Sequence, residues 1–159
     1  MYHRIVAGKV RATFAAINAG DWERMISGMA PTFSYRFYGD HALGGERHTA
    51  AALRLWWQRI YGLMPGLVFH VDDVLVAGWP WATRIAVRIS VEVGLPDGSR
   101  YQNVVMQFIG MRWGKITEVR TLEDTLRLSQ ALDRLAAAGI AEAHARPITD
   151  DDAVETLTG

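Results

Sequence analysis

Residues Ala15–Trp22, Ala-Ala-Ile-Asn-Ala-Gly-Asp-Trp, end one helix and begin another with almost no loop between them. Upstream, Ile5, Val6, Val10, Phe14 and Ile17 recur at helical spacing, so residues 3–18 form an amphipathic helix with one apolar stripe. Gly20 stops it by tolerating a left-handed backbone, and Asp21 offers a carboxylate to the first free N–H groups of the next helix. Pro31 breaks that second helix soon after it starts. From Thr32 to Tyr38 the period changes to two, with Phe33, Tyr35 and Phe37 alternating against Ser34, Arg36 and Tyr38. Helices placed ahead of the first strand need a sheet to receive their apolar faces.

The rest of the chain supplies that sheet. Thr49 is placed to cap a third helix running to about Gly62, with Leu53, Trp56, Trp57, Ile60 and Tyr61 on its inner face. Pro65-Gly66 stops it, and four strand-like runs follow: Leu67–Ala77, Ala82–Val93, Ser99–Trp113 and Lys115–Leu122. Gly78-Trp79-Pro80-Trp81, Pro96-Asp97-Gly98 and Gly114 join them, all of turn-forming composition. The alternation falters at Asp72-Asp73, which predicts a bulge. A last helix spans Glu123 to about Ala138 and ends on Gly139. Helices first and a strand meander after define an α+β fold, with helices on one face of a curved sheet. Residues 1–138 form this domain, and residues 139–159, acidic at Asp150-Asp151-Asp152, form a tail or a lid.

Composition narrows the function classes. A chain of 159 residues is one domain with a real core, and its 17 basic and 17 acidic side chains cancel. Without net positive charge there is no electrostatic footprint for nucleic acid or an anionic membrane surface. No apolar run approaches the ~18 residues of a membrane span, and the N-terminus lacks the pattern of a signal peptide. The absence of cysteine excludes disulfides, thiolate catalysis and zinc-finger sites. These features predict a cytoplasmic protein. His41, His48 and His70 lack the short spacing of a helical metal motif, so neither a metal nor another cofactor is expected.

Four motifs then follow one another in a telling order: Asn18-Ala19-Gly20-Asp21, Gly45-Glu46-Arg47 ahead of the third helix, Asp97-Gly98 between strands, and Gly114-Lys115-Ile116 before the last strand. Over roughly residues 5–136 the chain resembles the nuclear-transport-factor-2-like superfamily, in its SnoaL-like branch. The resemblance implies a cone-shaped curved antiparallel sheet with N-terminal helices packed on its concave face, a pocket for a small molecule, and frequently a dimer. It implies no single reaction, since cyclases, isomerases, epoxide hydrolases, dehydratases and non-catalytic binding modules share the fold.

Those chemistries can be tested residue by residue. Aligned on the Asn18–Asp21 stretch, ketosteroid isomerases would put Thr13 where their oxyanion tyrosine stands, Phe37 at their base, and Gln107 or Met106 near their second acid. Asp40 lies a few residues from the base position. Limonene-type epoxide hydrolases match Arg88-Ile89-Ser90 and Arg120-Thr121-Leu122-Glu123-Asp124 in spacing, but Ser90 and Thr121 replace both carboxylates. A hydroxyl whose pKa lies far above 7 does not serve as their base. In SnoaL-like cyclases the acid/base aspartate falls near Thr121, and Glu123 is two residues on, facing the same side. Glu123 and Asp124 either carry this chemistry or cap the last helix with negative charge.

The same alignment turns Ala86, Arg88, Ser90 and Glu92 toward the pocket, together with Asn103, Val105, Gln107, Val119, Thr121 and Glu123. Tyr35, Arg88 and Glu123 are then the catalytic candidates, for polarisation, charge stabilisation and acid/base work. Phe37, His41, Trp57, Tyr61, Ser90, Glu92, Asn103, Val105, Gln107 and Thr121 are the candidates for ligand contact. Arg88 and Glu92, about 13 Å apart along a strand, form either an internal ion network or a site for a ligand oxygen. His41, beside Asp40, is either a base at the pocket mouth or a solvated loop residue. The opposite face, Ile85, Val87, Ile89, Val104, Met106 and Phe108, is left for a partner subunit, which predicts a homodimer. Trp79 and Trp81 fit that interface or a surface turn. Two functions remain: a cofactor-free cyclase, isomerase or dehydratase moving protons on a hydrophobic oxygenated small molecule, or a non-catalytic ligand-binding or dimerising scaffold. If Ile85–Val91 packs on the protein's own helices, that strand's register is off by one.

Overall fold

The computed structural model describes residues 1–158, with side chains through Val154. Helices α1 (Tyr2–Asn18) and α2 (Glu23–Ser27) come first, joined through Gly20, whose φ of 86° is left-handed. The N-cap of α2 is Trp22, one residue later than expected and without a side-chain cap, and Asp21 Oδ1 accepts the Arg24 N–H at 3.3 Å from the position before it. Asn18 has a second role that its position in a helix end did not announce. Its amide donates to the Phe69 carbonyl at 2.8 Å and its Oδ1 accepts the Phe69 N–H at 2.9 Å. Phe69 lies on β3 (Val68–Trp79), a strand at the sheet's edge, so Asn18 satisfies free edge groups while tying α1 to the sheet.

The remaining elements are β1 (Met29–Phe37), β2 (Gly45–Arg47), α3 (Ala50–Leu63), β4 (Ala82–Gly94), β5 (Arg100–Arg112), β6 (Lys115–Glu123), α4 (Thr125–Ala137), a 3₁₀ turn Ala141–His144 and α5 (Asp150–Thr158). One open, curved sheet runs in the order β2-β1-β6-β5-β4-β3, antiparallel throughout except for the parallel β1–β6 pair. The short β2 was not foreseen. The bulge expected at Asp72-Asp73 appears as a register shift between Val71 and Asp73. Among the described residues no helix is long and apolar enough to cross a membrane.

The register of β4 differs from the expectation. Gly94 pairs with Arg100 and Ile89 with Val105, so odd residues of β4 oppose odd residues of β5. Ile85, Val87 and Ile89 are 3%, 2% and 0% exposed and share the inner face with Asn103, Val105 and Gln107. They belong to this chain's own core and are not available to a partner. Arg88, Ser90 and Glu92 accordingly lie on the outer face, where Arg88 pairs with Asp73 at 2.5 Å, Ser90 donates to Asp72 at 2.7 Å, and Glu92 pairs with Arg100 at 2.7 Å. The physical reason is simple. Alternating β-branched residues take the buried side of a strand, and a register counted from a distant motif inverts when it slips by one. Val104, Met106 and Phe108 do lie on the outer face.

The C-terminal segment packs along α3 and α4. Thr49 Oγ1 accepts the Ala52 N–H at 3.2 Å, the expected cap of α3. Asp150 extends that cap by accepting from His48 N at 2.9 Å, Thr49 N at 3.0 Å and Thr49 Oγ1 at 2.9 Å. Burial alone would raise the Asp150 carboxyl, but these donors outweigh it and hold its pKa below the usual range. Asp150→Ala is therefore expected to cost about 1–2 kcal/mol in urea denaturation at pH 7. A depressed carboxylate stabilises above its unfolded pKa and loses that contribution as pH falls through its folded one, so the gap should close in acid.

Candidate functional site

The inner faces of β1, β5 and β6 and helix α3 enclose a cavity of about 50 Å³, room for a few waters. Its walls are mostly aromatic, including Phe37, Trp56, Trp57, Phe69 and Tyr101, and its polar groups are Tyr35, Gln107, Thr121 and Glu123. Strand alternation explains the set. Phe37 pairs with Thr121 across β1–β6, Gln107 with Thr121 across β5–β6, and Val105 with Glu123, so these side chains rise from one face.

Among the described residues, Glu123 is the only carboxylate lining this cavity. Burial in apolar surroundings pushes its pKa up to about 8, with the Tyr101 hydrogen bond opposing the rise and the charge of neighbouring Asp124 adding to it. Tyr101 donates its hydroxyl proton to Glu123 Oε2 at 3.1 Å, while the Asn103 amide donates to the Tyr101 oxygen at 3.0 Å and to the Asp124 carbonyl at 2.9 Å. Asn103 thus turns the phenol so that its proton faces the carboxyl. Tyr101 was missed in the sequence, although stepping back two residues from Asn103 reaches it on the same face. Asp124 resolves the capping alternative for itself: it receives the Leu126 and Arg127 N–H groups at the start of α4. Glu123 lies inward.

Tyr35 is 1% exposed, and burial raises its phenol to about 12 against the opposing effects of Thr121, Arg47 and Gln107. It is a neutral donor at physiological pH. Gln107 donates to Thr121 Oγ1 at 3.1 Å, which knits this group together. Arg47 sits opposite Tyr35 in the β1–β2 pair and is fully buried. It donates to the Gly44 carbonyl and to the Ile148 carbonyl at 3.0 Å, and stacks 5.2 Å from the Trp56 ring. Burial lowers its pKa to about 10, which leaves it a cation, and among the described residues no carboxylate is bonded to it. Its sequence signal was only the Gly45-Glu46-Arg47 motif. Among the described residues, two buried polar side-chain atoms lack a hydrogen-bond partner: Arg47 Nη1 and Trp57 Nε1.

The remaining candidates fall elsewhere. Arg88, Ser90 and Glu92 are on the outer face and do not line the cavity. His41 packs against Phe37, with Nε2 near the Tyr38 carbonyl at 3.1 Å and Nδ1 accepting from Leu43 N at 3.3 Å. Burial lowers its pKa, so it is a neutral loop histidine outside the cavity. Tyr61 donates to the Ile17 carbonyl at 3.0 Å and stacks on Trp22, also outside. Phe37, Trp57, Val105, Gln107 and Thr121 line the cavity, and Asn103 stands behind it. Asp40 is exposed on its loop. Among the described residues no three His, Cys, Asp or Glu side chains form a metal-binding group.

This fold is that of a SnoaL-like cone. The family model for the SnoaL-like domain matches residues 10–119, and the chain belongs to that family, within the nuclear-transport-factor-2-like superfamily. Its structure is similar to TerC co-crystallised with polyporic acid, at 20% identity over 78% of this chain and 95% of TerC, with a TM-score of 0.67. It is similar to IdmH, a candidate polyketide cyclase from Streptomyces antibioticus, at 19% identity over 80% and 97% of the two chains, TM-score 0.66. AclR, a candidate hydroxylase from Streptomyces galilaeus, matches at 20% identity over 84% and 86%, TM-score 0.64. At these identities the likeness is one of fold. No curated protein matches the sequence.

Proposed function

We propose that the cone takes a hydrophobic, carbonyl-bearing small molecule and moves a proton on it without a cofactor. Glu123 is the acid/base and Tyr35, flanked by Thr121 and Gln107, polarises the carbonyl oxygen. The observation that carries this reading is a carboxyl of pKa about 8 in the same apolar cavity as a buried, neutral phenol. A general base works best when its pKa lies near the working pH. The ionised Glu123 takes the α-proton, the C–H electron pair moves to form the enolate, and Tyr35 hydrogen-bonds the new oxyanion. The Arg47 cation opposite Tyr35 favours negative charge there. Returning the proton to carbon or oxygen completes an isomerisation or primes a ring closure. Polyporic acid in TerC and the candidate cyclase IdmH support an oxygenated, ring-bearing ligand class. Arg88 takes no part.

Thr121 favours a second reading, a non-catalytic ligand-binding module, because a hydroxyl stands where the cyclases place their acid. Exchange of the α-protons of 2-tetralone in D₂O, followed by NMR, separates the two. Saturable acceleration by the protein supports proton transfer, whereas binding without acceleration overturns it.

The assembly in this reading is a homodimer through the outer sheet face. Leu75, Val104, Met106, Phe108 and Leu122 are 71%, 49%, 46%, 67% and 53% exposed there, a large apolar surface for a monomer. Arg84, Arg120 and Glu118 border it, carrying both signs of charge that a two-fold self-contact can pair. Stacked Trp79 and Trp81, with Trp113 beside them, extend the apolar surface at one end of the sheet. Phe108→Asp is expected to convert the dimer to monomer at micromolar concentration by light scattering, with the far-UV spectrum unchanged.

A further inference from the structure

A second cavity of about 170 Å³ lies between α1 and the far half of the sheet, more than three times the volume of the one at Glu123, about 50 Å³. Phe14, Met25, Tyr35 and Gln107 line both, so a partition a few side chains thick separates them. Met25 is unbranched and yields readily. The second chamber is walled by apolar residues such as Val6, Ile17, Ile85, Ile109 and Val119. Among the described residues a single charged side chain lines it, the exposed Lys9, and no carboxylate is paired with that ammonium. Lys9 is five residues before Phe14 on α1, about 7.5 Å along the helix axis.

We propose that the second chamber holds the apolar arm of an elongated anionic amphiphile, with its carbonyl at Glu123 and its carboxylate at Lys9. The assignment of the carbonyl end rests on the proton-transfer reading above, but binding of the arm does not. The size of the first chamber argues for it. Room for a few waters accommodates a carbonyl and its neighbours, and the rest of a drug-sized ligand needs the larger adjoining volume. The lining argues for the arm's chemistry, since a wall made mostly of apolar side chains rewards methylenes. Lys9 argues for the terminus, because a lone cation at the rim of an apolar chamber favours an anion there over a neutral group.

Calorimetric titration with hexanoate, decanoate and decanol at pH 7 tests the proposal. Affinity should rise about fourfold per methylene from hexanoate to decanoate. Val10→Trp, at a half-buried position lining the chamber, should weaken decanoate at least tenfold and flatten the length dependence. Lys9→Met should weaken decanoate about fivefold and leave decanol within twofold. These probes carry no ketone and undergo no proton transfer at Glu123, so failure of the proton-transfer reading would not disturb their affinities. Decanoate binding no tighter than hexanoate, or an unchanged length dependence in Val10→Trp, overturns the chamber. Equal losses of decanoate and decanol in Lys9→Met overturn the anionic terminus.

Discussion

Glu123→Gln is expected to stabilise the protein while abolishing its proton transfer. A base positioned for carbon-acid chemistry contributes typically 10²–10⁴-fold, and glutamine cannot accept the proton, so 2-tetralone exchange should fall by roughly that factor. In the wild type the rate should rise with pH and level off above about 8, where Glu123 is ionised. Stability moves the other way. The folded carboxyl keeps its proton to about pH 8, whereas the unfolded one loses it near its ordinary value of 4.5. Between those limits the native state binds more protons than the unfolded state, so wild-type stability declines as pH rises, by up to about 1.4 kcal/mol per unit. The variant lacks that decline. The two proteins should match below pH 4.5 and differ by roughly 2–4 kcal/mol above pH 8, in favour of the variant. Urea melts across pH 4–9 measure this. A glutamate serving only as structural glue would give the reverse, a loss of stability on substitution.

What could be read in advance, and what could not, follows from the range of each interaction. The Gly20-Asp21 break, the Thr49 cap and the Asp72-Asp73 bulge are local events set by neighbouring residues, and the structure contains each of them. The inward parity of Asn103, Val105, Gln107, Thr121 and Glu123 was also accessible from the family alignment, although the turn joining β5 and β6 does not fix it, since their pairing slips by one between Gly110 and Met111. The parity of β4 was not, because it was carried by counting from a remote motif, and the local evidence of alternating Ile and Val pointed correctly the other way. Arg47 illustrates a different limit. Nothing in Gly45-Glu46-Arg47 reveals a buried guanidinium, since its carbonyl partner Ile148 lies 101 residues away in the C-terminal segment. Asn18 likewise reads as a helix end, and its clamp on Phe69 appears only once β3 is at the sheet edge. Site chemistry depends on such distant meetings more than fold class does.

Trp56 and Trp57 are adjacent on α3, both 2% exposed, yet their removal should have opposite consequences. The Trp56 indole donates to the Leu43 carbonyl at 2.8 Å, its ring lies 5.0 Å from Tyr35, and it carries the Arg47 guanidinium on its face. Trp56→Ala opens a core cavity, strands a buried carbonyl and uncovers a cation whose Nη1 already lacks a partner. A loss of about 3–5 kcal/mol is expected in urea denaturation, enough to unfold a marginal domain at physiological temperature. The Trp57 ring packs against Trp56 and Phe69, but its N–H has no partner among the described residues. Trp57→Phe deletes that donor while keeping an aromatic ring, so stability should stay within about 1 kcal/mol of wild type. Trp57 lines the cavity, and we extend the proposal to its free N–H as a second donor to the ligand. Affinity for 2-tetralone should therefore drop about five- to tenfold in Trp57→Phe, with the α-proton exchange rate at saturation changed less than twofold. Unchanged affinity would remove the indole from the site and leave Tyr35 as the donor to the carbonyl.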